Sequence, residues 1–244
     1  MPTGNPAGVV QTPVFLSGSA NEPNFENLTP DELALFDESL RTIAKMESLE
    51  RDLSGLLLSE RDAFLWGASI AKRAFNKPFG GLLMNGSVNM QMIRPVTVLS
   101  NVPASLGGGG GTAVLSWKRY FSSTGWQALF GNQASPVSLG VSGSGTTATT
   151  TYERVMLVAP YLLSTGPTPR VAEIKPFVGQ VSYPVFPIAW QKITDLYVAR
   201  LPGVLLVEKN GQFAIEANIT SVGMDEIALF GIQYVTSDYA VLES

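Results

Sequence analysis

Val204-Leu205-Leu206-Val207-Glu208-Lys209-Asn210-Gly211-Gln212-Phe213-Ala214-Ile215-Glu216-Ala217-Asn218-Ile219 is the stretch on which the fold turns. Two apolar runs of strand length, Val204–Lys209 and Phe213–Ile219, flank an Asn-Gly pair. β-Branched and aromatic side chains suit a pleated surface. Asn-Gly readily takes the positive φ values of a tight two-residue turn. The pattern predicts a β-hairpin, with Lys209-Asn210-Gly211-Gln212 as its turn.

Outward from this pair, further candidate strands occupy Val88–Leu99, Ala113–Phe121, Thr149–Leu157, Arg170–Val178, Ile193–Leu201 and Ile227–Tyr234. About eight strands with irregular, often long connections suit a Greek-key sandwich or jelly roll better than a meander. The strand–helix alternation of a parallel sheet is missing. Residues 78–244 therefore read as one antiparallel, jelly-roll-like β-sandwich domain, which makes the chain mainly β. Two low-complexity stretches, Gly107–Gly111 and Ser142–Thr151, read as loops. The five glycines lack the Lys-Ser or Lys-Thr that closes a phosphate-binding loop.

Residues 29–77 read as a helical segment. Thr29-Pro30-Asp31-Glu32 combines an N-cap, a proline suited to the first turn and the acid of a capping box. Leu33, Phe36, Leu40 and Ile43 follow at 3-4-3 spacing, one apolar helix face. The pattern weakens at Ser54-Gly55 and restarts at Ser59, with Asp62 three residues on. Phe64, Leu65, Trp66, Ile70, Ala71, Ala74 and Phe75 form a second face, which Asn76-Lys77-Pro78 ends. Residues 22–77 hold 11 acids and 7 bases, which accounts for the whole net charge of -4.

Residues 1–28 read as an extended arm. Pro2, Pro6, Pro13 and Pro23 block helix, yet Val14-Phe15-Leu16, Phe25 and Leu28 give it apolar anchors that a solvated tail lacks. Either the arm docks onto a neighbouring subunit or it folds back on its own domain.

Composition removes most reaction chemistry. The 244 residues include no histidine and no cysteine, which excludes imidazole- and thiolate-based catalysis, zinc sites of those ligands and disulfides. Among the acids, Glu208 and Glu216 flank the expected hairpin and could approach across it, as a glycosidase pair would need to. Asp225, Glu226 and Asp238 could offer oxygen ligands, but no calcium-loop motif surrounds them. Both sets read more simply as solubilising charges, so no catalytic residue, cofactor or metal is assigned and the chain is not expected to be an enzyme. Nucleic-acid binding lacks its dense basic patch: the arm has no Lys or Arg, and the longest basic runs are Lys72-Arg73 and Lys118-Arg119. No apolar run is long enough for a membrane-spanning helix.

What remains points to assembly. Charged residues are 15% of the chain, against about 25% in a typical soluble domain, and residues 78–244 hold only 9 acids and 9 bases. So weakly charged a surface is better explained by burial against other copies than by a neutral monomer's exterior. The start of the chain has neither the basic nor the apolar region of a signal peptide, which suggests synthesis in a cytoplasm. The Ser/Thr/Gly-rich body suits an exterior setting.

An extended Pro/Gly-rich arm, a short helical segment and a neutral eight-strand body resemble, in layout, the viral capsid proteins of the jelly-roll type. The resemblance implies a structural shell subunit, synthesised in host cytoplasm and residing in the virion. Its partners would be copies of itself and other virion proteins, met through apolar interfaces and an exchanged arm. Candidate interface residues are Val14, Phe15, Leu16, Phe25, Leu28, Leu33, Phe36, Leu40 and Ile43. The acid-only arm departs from basic-armed capsids and implies that it does not neutralise a genome. The alternative is a carbohydrate- or receptor-binding sandwich of tail or fibre type, with Trp117, Trp126, Tyr152, Tyr161, Tyr183 and Trp190 as candidate stacking residues.

Overall fold

A computed structural model describes residues 14–18, 28–50, 52–82, 84–93, 116–134, 136–138, 156–164, 168–209 and 211–236. Their elements run in chain order as β1 (Phe15–Ser17), α1 (Pro30–Glu50), α2 (Ser54–Ser59), α3 (Arg61–Phe75), β2 (Val88–Met92), β3 (Ser116–Phe121), β4 (Gly125–Phe130) and β5 (Val137–Ser138). There follow β6 (Met156–Ser164), β7 (Val171–Val178), β8 (Val181–Ser182), β9 (Phe186–Pro187), β10 (Trp190–Ile193), β11 (Leu196–Val207), β12 (Gln212–Ile219) and β13 (Gly223–Thr236).

The strands form two sheets packed face to face. One has the order β1-β11-β6-β13-β2, with β10 also on β11 and β3 on β13. The other has the order β4-β12-β7-β8, with β5 on β12 and β9 on β7. One set of antiparallel pairs is nested: β2 and β3 pair with β13, β4 with β12, β6 with β11, and β7 with β8 and β9, while β6 also pairs with β13 and β7 with β12 inside their own sheets. Each successive long strand from β3 onward therefore changes sheet. The chain is a mainly β sandwich with a helical layer.

The Asn-Gly stretch does not form a hairpin, which corrects the sequence expectation. The Gly211 N–H does close a turn on the Glu208 carbonyl at 2.8 Å. However, β11 stays in the first sheet and β12 enters the second, so the turn is an arch between layers. The two runs have different burial needs. In β11, Val204 and Leu206 face the helices while Leu205 and Val207 face the second sheet. In β12, Phe213, Ile215, Ala217 and Ile219 point inward, and Glu216 and Asn218 lie between them on the outer side. A strand buried on both faces belongs to a middle layer, and an alternating one to an outer layer.

The first sheet is that middle layer. Between the sheets, Leu162, Leu205, Ile227 and Leu229 meet Ile174, Phe213, Ile215 and Leu129. On its other face Met90, Val158, Ile232 and Tyr234 meet Phe36, Leu40, Phe64 and Ala68 of the helices. The helical segment thus shares a core with the sandwich. Tyr234, wholly buried, donates its hydroxyl to the Phe64 carbonyl, and burial holds its pKa well above that of a free tyrosine.

Other strand boundaries also differ from expectation. The strands expected at Ile193–Leu201 and Val204–Lys209 merge, over Leu196–Val207, into the single strand β11, with Ile193 ending β10; its pairing with β6 is irregular between Arg200 and Leu205, around Pro202-Gly203. The strand expected at Thr149–Leu157 lies at Met156–Ser164. Pro160 interrupts its pattern: this proline sits in a central strand, where it is tolerated only at a bulge. Ala159 and Pro160 together oppose Gly231, so Val158 and Tyr161 both face the helices. Gly231 is required there, since a Cβ would lie 2.1 Å from the Val158 carbonyl oxygen. β4 was not anticipated. Gly107–Gly111 and Ser142–Thr151 lie outside the described residues.

The capping box forms as read. The Glu32 N–H donates to Thr29 Oγ1 at 3.2 Å and the Thr29 N–H to Glu32 Oε2 at 2.8 Å. Phe36, Leu40 and Ile43 are buried, but Leu33 is 36% exposed, because the buried stripe continues through Ala44. Ser59 is not a cap: its hydroxyl donates to the Leu56 carbonyl at 2.9 Å, and α3 starts after Glu60. Asn76 ends α3 in the left-handed conformation (φ 51°).

Candidate functional site

Residues 14–18, the described part of the arm before Leu28, are folded onto their own domain. Phe15–Ser17 pairs in parallel with Val204–Leu206 at the edge of the first sheet, and the Val204 N–H donates to the Val14 carbonyl at 2.8 Å. Phe15 stacks on Trp66 of α3, with ring centroids 4.9 Å apart and planes 20° from parallel. Leu16 points the other way, into the core between the sheets. Tyr183 clamps the strand from the second sheet's side: its hydroxyl accepts from the Ser17 N–H at 2.8 Å and donates to the Ser17 carbonyl at 3.1 Å. Gly18 lies so close to Gly179 that a Cβ there would be 2.8 Å from the Gly179 Cα. One short strand thus joins helix, first sheet and second sheet.

Of the other candidate interface residues, Val14 is exposed and Leu28 half-buried against the helix–sheet core. Phe25 lies outside the described residues. Phe36, Leu40 and Ile43 are spent inside the chain. Their interface is intramolecular, because the outer face of the first sheet supplies the apolar partner that α1 needs.

The candidate acids do not converge. Glu208 lies at the arch and Glu216 on the outer side of β12, opposite Lys175; losing the hairpin removes the geometry that would have paired them. Asp225 is buried, accepting from the Ser164 hydroxyl at 2.6 Å and the Arg170 N–H at 3.0 Å. That role ties β6 and β13 to the start of β7. The Glu226 side chain and Asp238 lie outside the described residues.

Two further buried acids, Glu32 and Glu60, make contacts that the sequence reading did not give. Glu32 accepts from Lys72 Nζ at 2.6 Å and from the Phe79 N–H at 2.9 Å, besides its capping role. Burial alone would raise its pKa, but the hydrogen bonds from Lys72, Thr29 and Phe79 and the Lys72 charge outweigh it, so the carboxyl titrates below its ordinary value. Glu60 accepts from the Tyr161 hydroxyl at 3.0 Å and pairs with Arg200 at 2.8 Å, under the β11 irregularity. Burial, with a smaller contribution from the Glu60 charge, raises the Tyr161 pKa. Glu32 ties α1 to α3 and to the segment before β2, and Glu60 links the helices to β6 and β11 of the first sheet; the only advance signal was the capping box at Glu32.

The candidate aromatic residues separate clearly. Tyr161 is buried at Glu60, Tyr183 clamps the arm, and Trp190 donates its indole N–H to the Val171 carbonyl at 2.8 Å. The Trp117 side chain and Tyr152 lie outside the described residues. Trp126 alone of those described stands out, 47% exposed on β4. It lies directly opposite Asn218, whose side-chain N–H donates to Glu173 Oε2 at 2.8 Å. Directly opposed residues share a face, so Trp126, Asn218 and Glu173 form one row across the outside of the second sheet. Ala128, Glu216 and Lys175 form the next row. A shallow pocket, lined by Gln133, Lys175, Phe177, Ser182, Ala214 and Glu216, continues from it.

Among the described residues no helix is long and apolar enough to cross a membrane, and no three acids cluster as a metal site would need. No protein-family model, curated protein or solved structure matches the chain.

Proposed function

We propose that this chain is a structural subunit of a viral or phage shell, its sandwich a jelly roll, and that it assembles through apolar surfaces and an exchanged N-terminal arm. The observation that carries the reading is the nested pairing of the strands. Starting from the innermost partners β7 and β8–β9, each earlier strand pairs with a later one, out to β2–β3 with β13. A long hairpin rolled onto itself has this order, the double Greek key of shell subunits and of some lectins. The low charge of residues 78–244 supports burial against other copies.

The arm supplies the means of exchange. Its acceptor site, built by β11, Trp66 and Tyr183, is present on every copy, so an identical arm from a neighbour fits it equally well. Strand addition to a sheet edge is a recurrent mode of subunit joining. Light scattering on the purified full-length chain at micromolar concentration tests the proposal. A shell subunit forms a multimer of defined mass or a larger particle, alone or with other components of its shell. A stable monomer under both conditions overturns the proposal.

A further inference from the structure

We infer that the outer face of the second sheet binds a neutral glycan, with Trp126 as the stacking platform and Asn218, Glu173, Glu216 and Lys175 as the groups that read its hydroxyls. The first sheet is covered on both sides, by the helices and by the second sheet. The outer face of the second sheet has no such cover among the described residues. It carries an exposed Trp at one corner and polar side chains in rows about 7 Å apart, the spacing of alternate residues along a strand. Ala128 and Ala214 keep the floor low between the larger side chains.

The chemistry of the face selects the occupant. A protein interface of lasting kind is depleted in Lys and Glu at its centre, and here Glu173, Glu216 and Lys175 occupy the centre. A nucleic acid needs an excess of positive charge, and these groups hold two acids against one base. A sugar ring suits both halves of the site. Its C–H face packs on an indole, and its hydroxyls donate to carboxylates and accept from amide and ammonium N–H groups. Asn218 and Glu173 already hydrogen-bond each other at 2.8 Å, which fixes their orientation beside Trp126 and, among the described residues, leaves further donor and acceptor positions for a ligand.

The test is titration of the ¹⁵N-labelled full-length chain with cellohexaose, maltohexaose and chitohexaose, followed through the Trp126 indole N–H and Asn218 amide signals. The indole signal is assigned by its loss in Trp126→Ala. At least one oligosaccharide shifts both signals saturably at millimolar concentration or below. Trp126→Ala weakens that binding at least tenfold, Trp126→Tyr restores part of it, and both variants keep the wild-type melting temperature. Absence of a saturable shift with all three probes overturns the inference, as does equal binding by Trp126→Ala. If Trp126→Ala abolishes assembly instead, with no sugar bound by the wild type, the face is a subunit contact and the glycan site is refuted. Failure here leaves the shell proposal standing, because that proposal is read by light scattering without sugar.

Discussion

Replacing Leu40 with alanine tests whether helices and sandwich fold as one unit. Leu40 is 1% exposed in the core that α1 and α3 share with the first sheet. Truncation removes apolar burial and leaves a cavity, which together cost about 2–5 kcal/mol at such a site. With a urea m-value of about 3 kcal/mol/M, the midpoint should fall by about 0.7–1.7 M with m unchanged. Unfolding is followed by far-UV circular dichroism and by tryptophan fluorescence, to which Trp66 contributes from the helix–arm contact. Both signals should move together in one transition. A midpoint shift below about 0.2 M, or loss of helical signal well before the sheet unfolds, would refute a shared core.

Three further outcomes are expected. Glu32 has a folded-state pKa below its ordinary value of 4.5, so its stabilisation is fully present above that value and lost as pH falls through the folded pKa; the melting-temperature gap between wild type and Glu32→Gln should be widest near pH 6–7 and narrow towards pH 3, and a gap that widens on acidification would contradict the Glu32–Lys72 arrangement. Gly231→Ala must push β13 off β6 and should destabilise the fold by at least the roughly 1–3 kcal/mol of an overpacked core, whereas a neutral effect in denaturation would show that the strands are not in this register. Because the chain has no cysteine, Ser17→Cys with Leu206→Cys places one reactive pair on facing strands about 4.8 Å apart, within disulfide reach; oxidation of assembled protein should give covalent multimers on a denaturing non-reducing gel if arms are exchanged, and cross-linked monomer alone would refute exchange.

Much of the architecture was legible because burial leaves a periodic trace. The capping box at Thr29 and Glu32, the 3-4-3 stripe through Phe36, Leu40 and Ile43, and the alternation of Phe213, Ile215, Ala217 and Ile219 each follow from one local requirement. The errors arose where distant layers decide. Asn210-Gly211 is a good local turn signal, but it says nothing about whether its two strands share a sheet. The contrast between the doubly apolar Val204–Val207 and the alternating Phe213–Ile219 did hold that information, as one strand buried on both faces and one on a single face. Pro160 is an interruption in one dimension and a bulge in three. Leu33 was assigned to the buried stripe by spacing alone, though the face turns towards Ala44. The outer-face row Trp126–Asn218–Glu173 joins residues far apart in sequence, and only the strand register brings them together. The arm had two open destinations, and for Phe15 and Leu16 the chain supplies its own partners, Trp66 and the core between the sheets.

The most direct measurement is electron microscopy of the purified full-length chain, alone and with the other components of its shell, beside the same preparation lacking residues 1–20. A shell subunit yields closed particles or regular arrays with the full chain, and the truncated chain keeps its β-rich circular dichroism but yields few or none. Dispersed monomers from the full chain under every condition, or equal assembly by the truncated chain, would contradict a shell role built on the exchanged arm.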